Sequence, residues 1–354
     1  MGDSKTERLQ IAFIGAGGIA RTHMRYLHKM DDVDIVSVAD VVESSAAKLQ
    51  EEFGIPSCYT DYQQMLSEVR PQAVSVCTPN GLHAPCTLAS LEAGADVLVE
   101  KPLAMNAIEG TQMVEAAKAN SRKLVIGFQH RFEPRTRFLR NAVRDGKLGE
   151  ILYGRVQALR RRGIPNWGVF GRKELQGGGP LIDIGVHVLE TAHFVMGSPN
   201  PIAALGQTYR YLGDKPSTVE SEWPNWDFKT YDVEDLAVGM IRFENGATLS
   251  VEASFAAHVE KDNWNFALMG TKGGATWGPP RIFHDEHNHM VNTEPHWLPE
   301  RVRGDAFRLK MRNFVDHALH DHETLAPAEH GLMVQKMLDG IYRSAEQGRE
   351  VRIE

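Results

Sequence analysis

Six residues near the N-terminus restrict this chain more than any other stretch: Gly15-Ala16-Gly17-Gly18-Ile19-Ala20, between the apolar run Ile11–Ile14 and an amphipathic segment that begins at Ile19. The pattern G-x-G-x-x-G/A carries meaning only between a strand and a helix, which is its context here. Gly15 permits the tight turn, Gly17 lets the backbone approach a pyrophosphate, and Ala20 keeps the helix close to the sheet. Gly18 and Ile19 open the helix, whose first amides are free to meet phosphate oxygens. Asp40 ends the next apolar run, Val33–Ala39, about 20 residues beyond the glycines. A carboxylate there accepts hydrogen bonds from the hydroxyls of an adenosine ribose and repels a 2′-phosphate. Val41 and Val42 follow it, with no Arg or Lys, so the expected cofactor is NAD rather than NADP.

From Ile11 to Gly127 short apolar runs alternate with amphipathic stretches. The further runs Ala73–Cys77, Val97–Val99 and Leu124–Ile126 suit strands buried on both faces, and Ile19–Met30, Glu43–Glu52, Asp61–Val69, Pro85–Ala93 and Ile108–Asn120 suit helices. Repeated units of this kind predict a doubly wound parallel sheet, an α/β Rossmann domain over residues 1–130. The pattern then changes. Pro134–Arg144 reads as a helix, Gly149–Leu159 as a strand and Leu181–Met196 as a helix. Alternating segments follow at Ile202–Tyr211, Asp235–Phe243, Ala247–Phe255 and Asn265–Met269, with the hairpin signal Asn245-Gly246 among them. Helices at Ala306–Leu319 and Glu329–Gln347 close the chain. Residues 131–354 are thus expected to form an α+β domain with a large, mostly antiparallel open sheet. A chain of 354 residues is long enough for two such cores.

A formal charge of −7 argues against a general nucleic-acid binder. Cys58, Cys77 and Cys86 lack zinc spacing and suit reduced packing residues, Met1 to Gln10 has no apolar signal core, and no apolar run approaches a membrane span. A cytoplasmic protein is expected, with neither nucleic acid nor membrane as partner.

Three further stretches carry chemistry. Thr78-Pro79-Asn80, with His83 nearby, follows the run Ala73–Cys77; Glu100-Lys101-Pro102 follows Val97–Val99; and Gly177-Gly178-Gly179-Pro180-Leu181-Ile182-Asp183-Ile184-Gly185-Val186-His187 opens a helix in the second half. Open α/β sheets bind ligands beyond the carboxyl ends of their strands, where Thr78, Asn80, Glu100 and Lys101 fall. Lys101 suits a hydrogen bond to a substrate hydroxyl and stabilisation of charge developing there. Asp183 and His187, four apart on an expected helix, share one face. An imidazole that titrates near neutral pH suits removal of a hydroxyl proton, with Asp183 orienting the ring or holding a neighbouring hydroxyl.

Together with the glycine fingerprint, these blocks resemble, over nearly the whole chain, the glucose–fructose oxidoreductase / inositol dehydrogenase / MocA (Gfo/Idh/MocA) family. The resemblance implies that Lys101, Asp183 and His187 are the hydride-transfer set and that Gln129, His130 and Arg131 lie near nicotinamide and substrate. It implies a dehydrogenase acting on a ring hydroxyl of a sugar, glycoside or inositol-type polyol. Arg160-Arg161-Arg162 and Trp167 suit either a substrate wall or a charged strand edge beside a packed indole, and Tyr231 is a further pocket candidate. Two other functions stay open: an NAD-dependent glycosidase that oxidises transiently, and a non-catalytic NAD-binding sensor or repressor. His284, His287 and His289 read as a polar hairpin rather than a metal site, and His317, His320 and His322 as the positive end of a helix; no metal is expected. The family likeness also implies a homodimer or homotetramer through the outer face of the second sheet, where alternating segments such as Ala247–Phe255 offer a second apolar face.

Overall fold

The computed structural model describes residues 8–298 and 305–354. They form two compact units, residues 8–132 with 305–332 and residues 133–298 with 333–354. The first unit contains β1 (Leu9–Ile14), α1 (Gly18–Leu27), β2 (Val33–Ala39), α2 (Glu43–Phe53), β3 (Ser57–Tyr59), α3 (Tyr62–Val69), β4 (Ala73–Val76), α4 (His83–Glu92), β5 (Asp96–Val99), α5 (Ala107–Ala119) and β6 (Leu124–Ile126). All six strands are parallel, in the order β3-β2-β1-β4-β5-β6. Strand order reverses between β1 and β4, which makes their carboxyl ends the binding edge of such a sheet. The apolar runs read from sequence are its central strands: Ile11, Ala12, Phe13, Val74, Val97 and Leu98 have no exposed surface. Helix starts are fixed by short polar caps, Asp61 accepting from the Gln63 amide and Asn106 from that of Glu109.

The second unit begins with α6 (Pro134–Arg144), whose proline occupies the first turn, where a missing N–H costs nothing. Then come β7 (Ile151–Leu159), α7 (Lys173–Gln176), α8 (Val186–Val195), β8 (Pro201–Tyr209), β9 (Leu236–Phe243), β10 (Thr248–Ser254), β11 (Asn263–Gly270), β12 (Gly273–Trp277), β13 (Pro280–Glu286) and β14 (His289–Thr293). Of the two closing helices, α9 (Asp305–His320) belongs to the first unit, while α10 (Ala328–Gln347) starts there and runs on into the second, followed by β15 (Val351–Arg352). The nine-stranded sheet has the order β14-β13-β12-β11-β7-β10-β9-β8-β15, antiparallel except for β7 beside β10. One face packs on α6 and α8, where Trp277 stacks on Phe266, donates to the Thr136 hydroxyl and carries the Arg135 guanidinium 3.2 Å above its ring. The turn between β13 and β14 holds His287 and Asn288 at φ 51° and 64°, the paired positive values of a tight hairpin.

The outer face of this sheet corrects one expectation. In β10 the apolar residues Leu249, Val251 and Ala253 all point inward, and Thr248, Ser250 and Glu252 point out, so this strand carries no second apolar face. Exposed apolar side chains lie on other strands of the sheet, Leu205 on β8, Met240 on β9 and Met269 on β11. Among the described residues no helix is long and apolar enough to cross a membrane.

Candidate active site

In the first unit the sequence places its binding residues at the strand order's reversal. Gly15 stands at φ +98°, and a Cβ there would lie 2.5 Å from the Cys77 carbonyl oxygen, so only glycine makes the turn against β4. A Cβ on Gly17 or Gly18 would meet nothing within 4 Å, which leaves open space in front of the first turn of α1. That turn has no side-chain cap and no acidic residue, so its amides are offered outward. Asp40 accepts from the Ala16 amide at 2.7 Å and the Val42 amide at 2.8 Å, tying the glycine turn to the end of β2. Exposed Val41 and Val42 flank it with apolar surface. Beyond β4 the Thr78 hydroxyl is buried without a hydrogen-bond partner. Open amides, a carboxylate at the end of β2 and an orphaned hydroxyl on one strand edge fit a dinucleotide.

Two of the other predicted residues, His83 and Arg131, build this edge rather than face it. The His83 ring is buried, its nitrogens 2.7 Å from the Pro102 carbonyl and 3.0 Å from that of Thr78, so it locks the two loops together. Burial pulls its pKa down, partly offset by those carbonyls. Asn80 is buried in a short 3₁₀ turn after the exposed Pro79, and Gln129 opens a second such turn after β6. Arg131, read as a substrate residue, has no exposed surface: its guanidinium donates to the Leu325 carbonyl and meets His330 at 2.9 Å, stacked on Phe128. It fastens the segment before α10.

Glu100 is likewise turned inward. Its Oε1 lies 2.6 Å from Lys310 Nζ on α9 and 3.0 Å from His23 Nε2 on α1, and those two nitrogens are 3.0 Å apart. A neutral ring nitrogen serves the carboxylate or the ammonium, not both, and His23 Nδ1 reaches the Ser75 hydroxyl at 3.0 Å. Burial works to raise the Glu100 pKa, yet Lys310 and His23 hold it well below the usual carboxylate range. Burial and the neighbouring ammonium bring His23 down to about 4. The other oxygen of Glu100 accepts the Lys101 amide at 3.2 Å, so this buried triad sets the backbone from which the partly exposed Lys101 side chain departs. Sequence reasoning found Glu100 but not its partners.

In the second unit Asp183 lies in a π-helical turn, Leu181–Gly185, that leads into α8, and His187 lies in the first turn of α8. The expected continuous α-helix is therefore widened at its start, a feature frequent at functional sites. From Gly178 to Met196 every residue is buried except Asp183 and His187, so these two share the only open face. The start is held by Glu234, whose buried carboxylate accepts the Gly179 and Leu181 amides and the Tyr342 hydroxyl at 2.9, 3.2 and 2.7 Å. A Cβ on Gly178 would fall on that hydroxyl, and one on Gly179 on the Glu234 carbonyl, which is why the triple glycine is needed. Tyr231 also serves this frame: it is buried and its hydroxyl donates to the Glu234 carbonyl, while the residue lines the cavity beside Trp167.

Around the Asp183/His187 face stand Trp264, its ring 6.0 Å from that of His187, and Arg160 at the end of β7. Burial lowers the Arg160 pKa, opposed first by the charge of Asp183 and then by Asp262 and Glu222. Arg160 stacks over Trp223 at 4.8 Å, and Trp223 meets the half-exposed Trp167 edge-on at 4.8 Å. Trp223 carried no signal in the sequence reading.

Comparison with known proteins agrees with both units. Residues 9–128 match the family model described as an oxidoreductase family, NAD-binding Rossmann fold, and residues 140–353 match its C-terminal alpha/beta domain. The D-glucoside 3-dehydrogenase of Escherichia coli (strain K12) is 38% identical over 98% of this chain and 97% of its own length. The myo-inositol 2-dehydrogenase of Thermotoga maritima is 25% identical over 98% of this chain and 99% of its own. The fold is shared with the levoglucosan dehydrogenase–NADH complex, at a TM-score of 0.85 and 22% identity, covering 98% of this chain and 100% of that one. The chain is a member of the Gfo/Idh/MocA oxidoreductases, and its first unit is their NAD-binding Rossmann fold.

Proposed function

We infer that this protein is an NAD-dependent dehydrogenase that oxidises a ring secondary hydroxyl of a glucoside or closely related sugar. The observation that carries the reading is the isolation of Asp183 and His187 as the sole open positions of a buried helical segment. A carboxylate and an imidazole so placed suit a polyhydroxylated ring: His187 takes the hydroxyl proton while Asp183 holds the ring or an adjacent hydroxyl. Lys101, supported by Glu100, donates to the same oxygen and stabilises the charge that grows on it. Bound NAD would supply the hydride acceptor. The glycine turn, the first amides of α1 and Asp40 would hold its pyrophosphate and ribose, and the absence of a cation after Asp40 favours NAD over NADP. Arg160 and Trp264 would flank the reacting ring.

The 38% identical relative, a D-glucoside 3-dehydrogenase, favours a glucoside and position 3 within the broader class of sugars and inositols. For self-association, the exposed Leu205, Met240 and Met269 favour the outer sheet face as the contact between copies. The test is NADH formation over methyl glucosides, free aldoses and inositols, with the oxidised carbon located by NMR. Formation of a 3-keto glucoside is expected. No NADH from any of them, with NAD bound, refutes the dehydrogenase reading, and glycoside cleavage without net NADH would favour the transient-oxidation alternative.

A further inference from the structure

A long connection, Arg210 to Asp235, separates β8 from β9 without regular structure, and loops of that length in compact domains usually serve function. This one is pinned rather than loose. Asp235 accepts the amides of Tyr211, Leu212 and Gly213 through one oxygen, and Trp226 donates to the Gly213 carbonyl at 2.7 Å. It is also bound to the loop that follows β7: Asn166 donates to the Pro224 carbonyl at 2.7 Å, and the Asp232 amide to the Gly171 carbonyl at 3.0 Å. The two loops thus present a fixed aromatic ledge. Trp167 stands edge-on to both Trp223 and Phe170, with interplanar angles of 87° and 76°, yet half of its surface remains open to solvent. Beside it lies a cavity of about 270 Å³ whose lining includes Asn166, Trp167, Phe170, Trp226, Asp227 and Thr230.

A tryptophan held half-exposed by neighbours that are themselves anchored is a surface kept ready for contact. The ledge connects to the open face already described through Arg160, which stacks on Trp223 and is near enough to Asp183 to feel its charge. The lining alternates indole and phenyl rings with an amide, a carboxylate and a hydroxyl. That is the complement of a pyranose, whose C–H face lies on an aromatic ring while its edge hydroxyls need donors and acceptors. The cavity mouth bears both Arg172 and Asp227, which does not select an anion such as a phosphorylated sugar.

We propose that this ledge is a second subsite, which takes the non-reacting sugar of a disaccharide whose other ring is oxidised at Asp183 and His187. The proposal rests on the sugar-dehydrogenase reading above and adds to it a preference for two-ring glucosides. Its test compares kcat/KM for methyl glucoside with that for glucose disaccharides of each linkage, in the wild type and in Trp167→Ala, Trp223→Ala and Trp167→Phe. One disaccharide is expected to exceed methyl glucoside by roughly tenfold, in KM rather than kcat. Either alanine variant should bring that ratio close to one, and Trp167→Phe should keep most of it. The proposal is overturned if the wild type shows no preference for any disaccharide, or if the alanine variants lower both substrates equally and leave the ratio intact. No NADH from either substrate class would instead defeat the dehydrogenase reading itself.

Discussion

Replacing Lys310 by Met should destabilise the first unit by an amount that depends strongly on pH. The ammonium is buried, 2.6 Å from Glu100 Oε1, and methionine fills a similar volume without charge. Glu100 then keeps a buried carboxylate whose main partner is gone, a change that costs about 3–5 kcal/mol in comparable pairs. In the wild type His23 has a folded pKa of about 4 against a free value of 6.5, so its neutral form belongs to the folded state. A lowered pKa gives a contribution complete above pH 6.5 and lost as pH falls towards about 4, and the gap is worth about 3 kcal/mol. Glu100, held low as well, loses its own contribution only below its unfolded value of 4.5. Without Lys310 the ammonium no longer opposes protonation of His23, which can take up a proton beside the Glu100 carboxylate. Burial still opposes that proton, so the variant should escape part of the loss that the wild type suffers below pH 6.5, and the two stabilities should draw closer.

The expected deficit is about 3–5 kcal/mol at pH 8 and smaller by up to about 2 kcal/mol at pH 5. Tryptophan fluorescence would not report it, since all six tryptophans belong to the second unit. Hydrogen exchange at the amides of β1, β4 and β5, corrected for the intrinsic pH dependence of exchange, measures the opening energy where the triad sits. Adding Glu100→Gln to the variant removes the stranded charge and should recover part of the deficit at pH 8. A deficit below about 1 kcal/mol at pH 8, or one that stays flat from pH 8 to pH 5, would show that the three groups do not share charge as described.

Three shorter predictions follow from the same geometry. Lys101→Met should lower kcat by about 10²–10³-fold, the usual loss for one donor to a developing oxyanion, with the NAD dissociation constant nearly unchanged in a fluorescence titration. Asp40→Ala removes the acceptor of the Ala16 and Val42 amides together with the ribose contact. It should raise the KM for NAD by roughly tenfold to a hundredfold and narrow the preference over NADP, read from kcat/KM with each cofactor. Gly179→Ala drives a methyl group into the Glu234 carbonyl and should cost about 1–3 kcal/mol in urea melts followed by tryptophan fluorescence, with turnover lost in parallel.

What the chain displays in its own order and what it hides have different physical origins. The Gly15 turn, the buried parallel strands and α6 are set by neighbours a few residues away, so glycine spacing, apolar runs and a first-turn proline reveal them. The three-residue β3 and the short β12 pass unread because neither alternates cleanly or buries a continuous face, and β13 and β14 show only as the polar hairpin around His284, His287 and His289. The site residues divide along the same line. Lys101, Asp183 and His187, the proposed reacting groups, stand in compact motifs that the sequence displays; the residues that support them do not. Glu100 depends on Lys310, Asp183 on a turn capped by Glu234, and Arg160 on Trp223, each pairing joining residues that only the folded topology brings together. Buried polar residues such as Arg131, Tyr231 and Glu100 look from sequence like residues that meet a ligand, because burial and ligand contact both call for a polar group with fixed partners. The distinction between them lies in solvent access, and on that ground Asp183 and His187, the two open positions along a buried helical segment, are the groups we propose to meet a substrate.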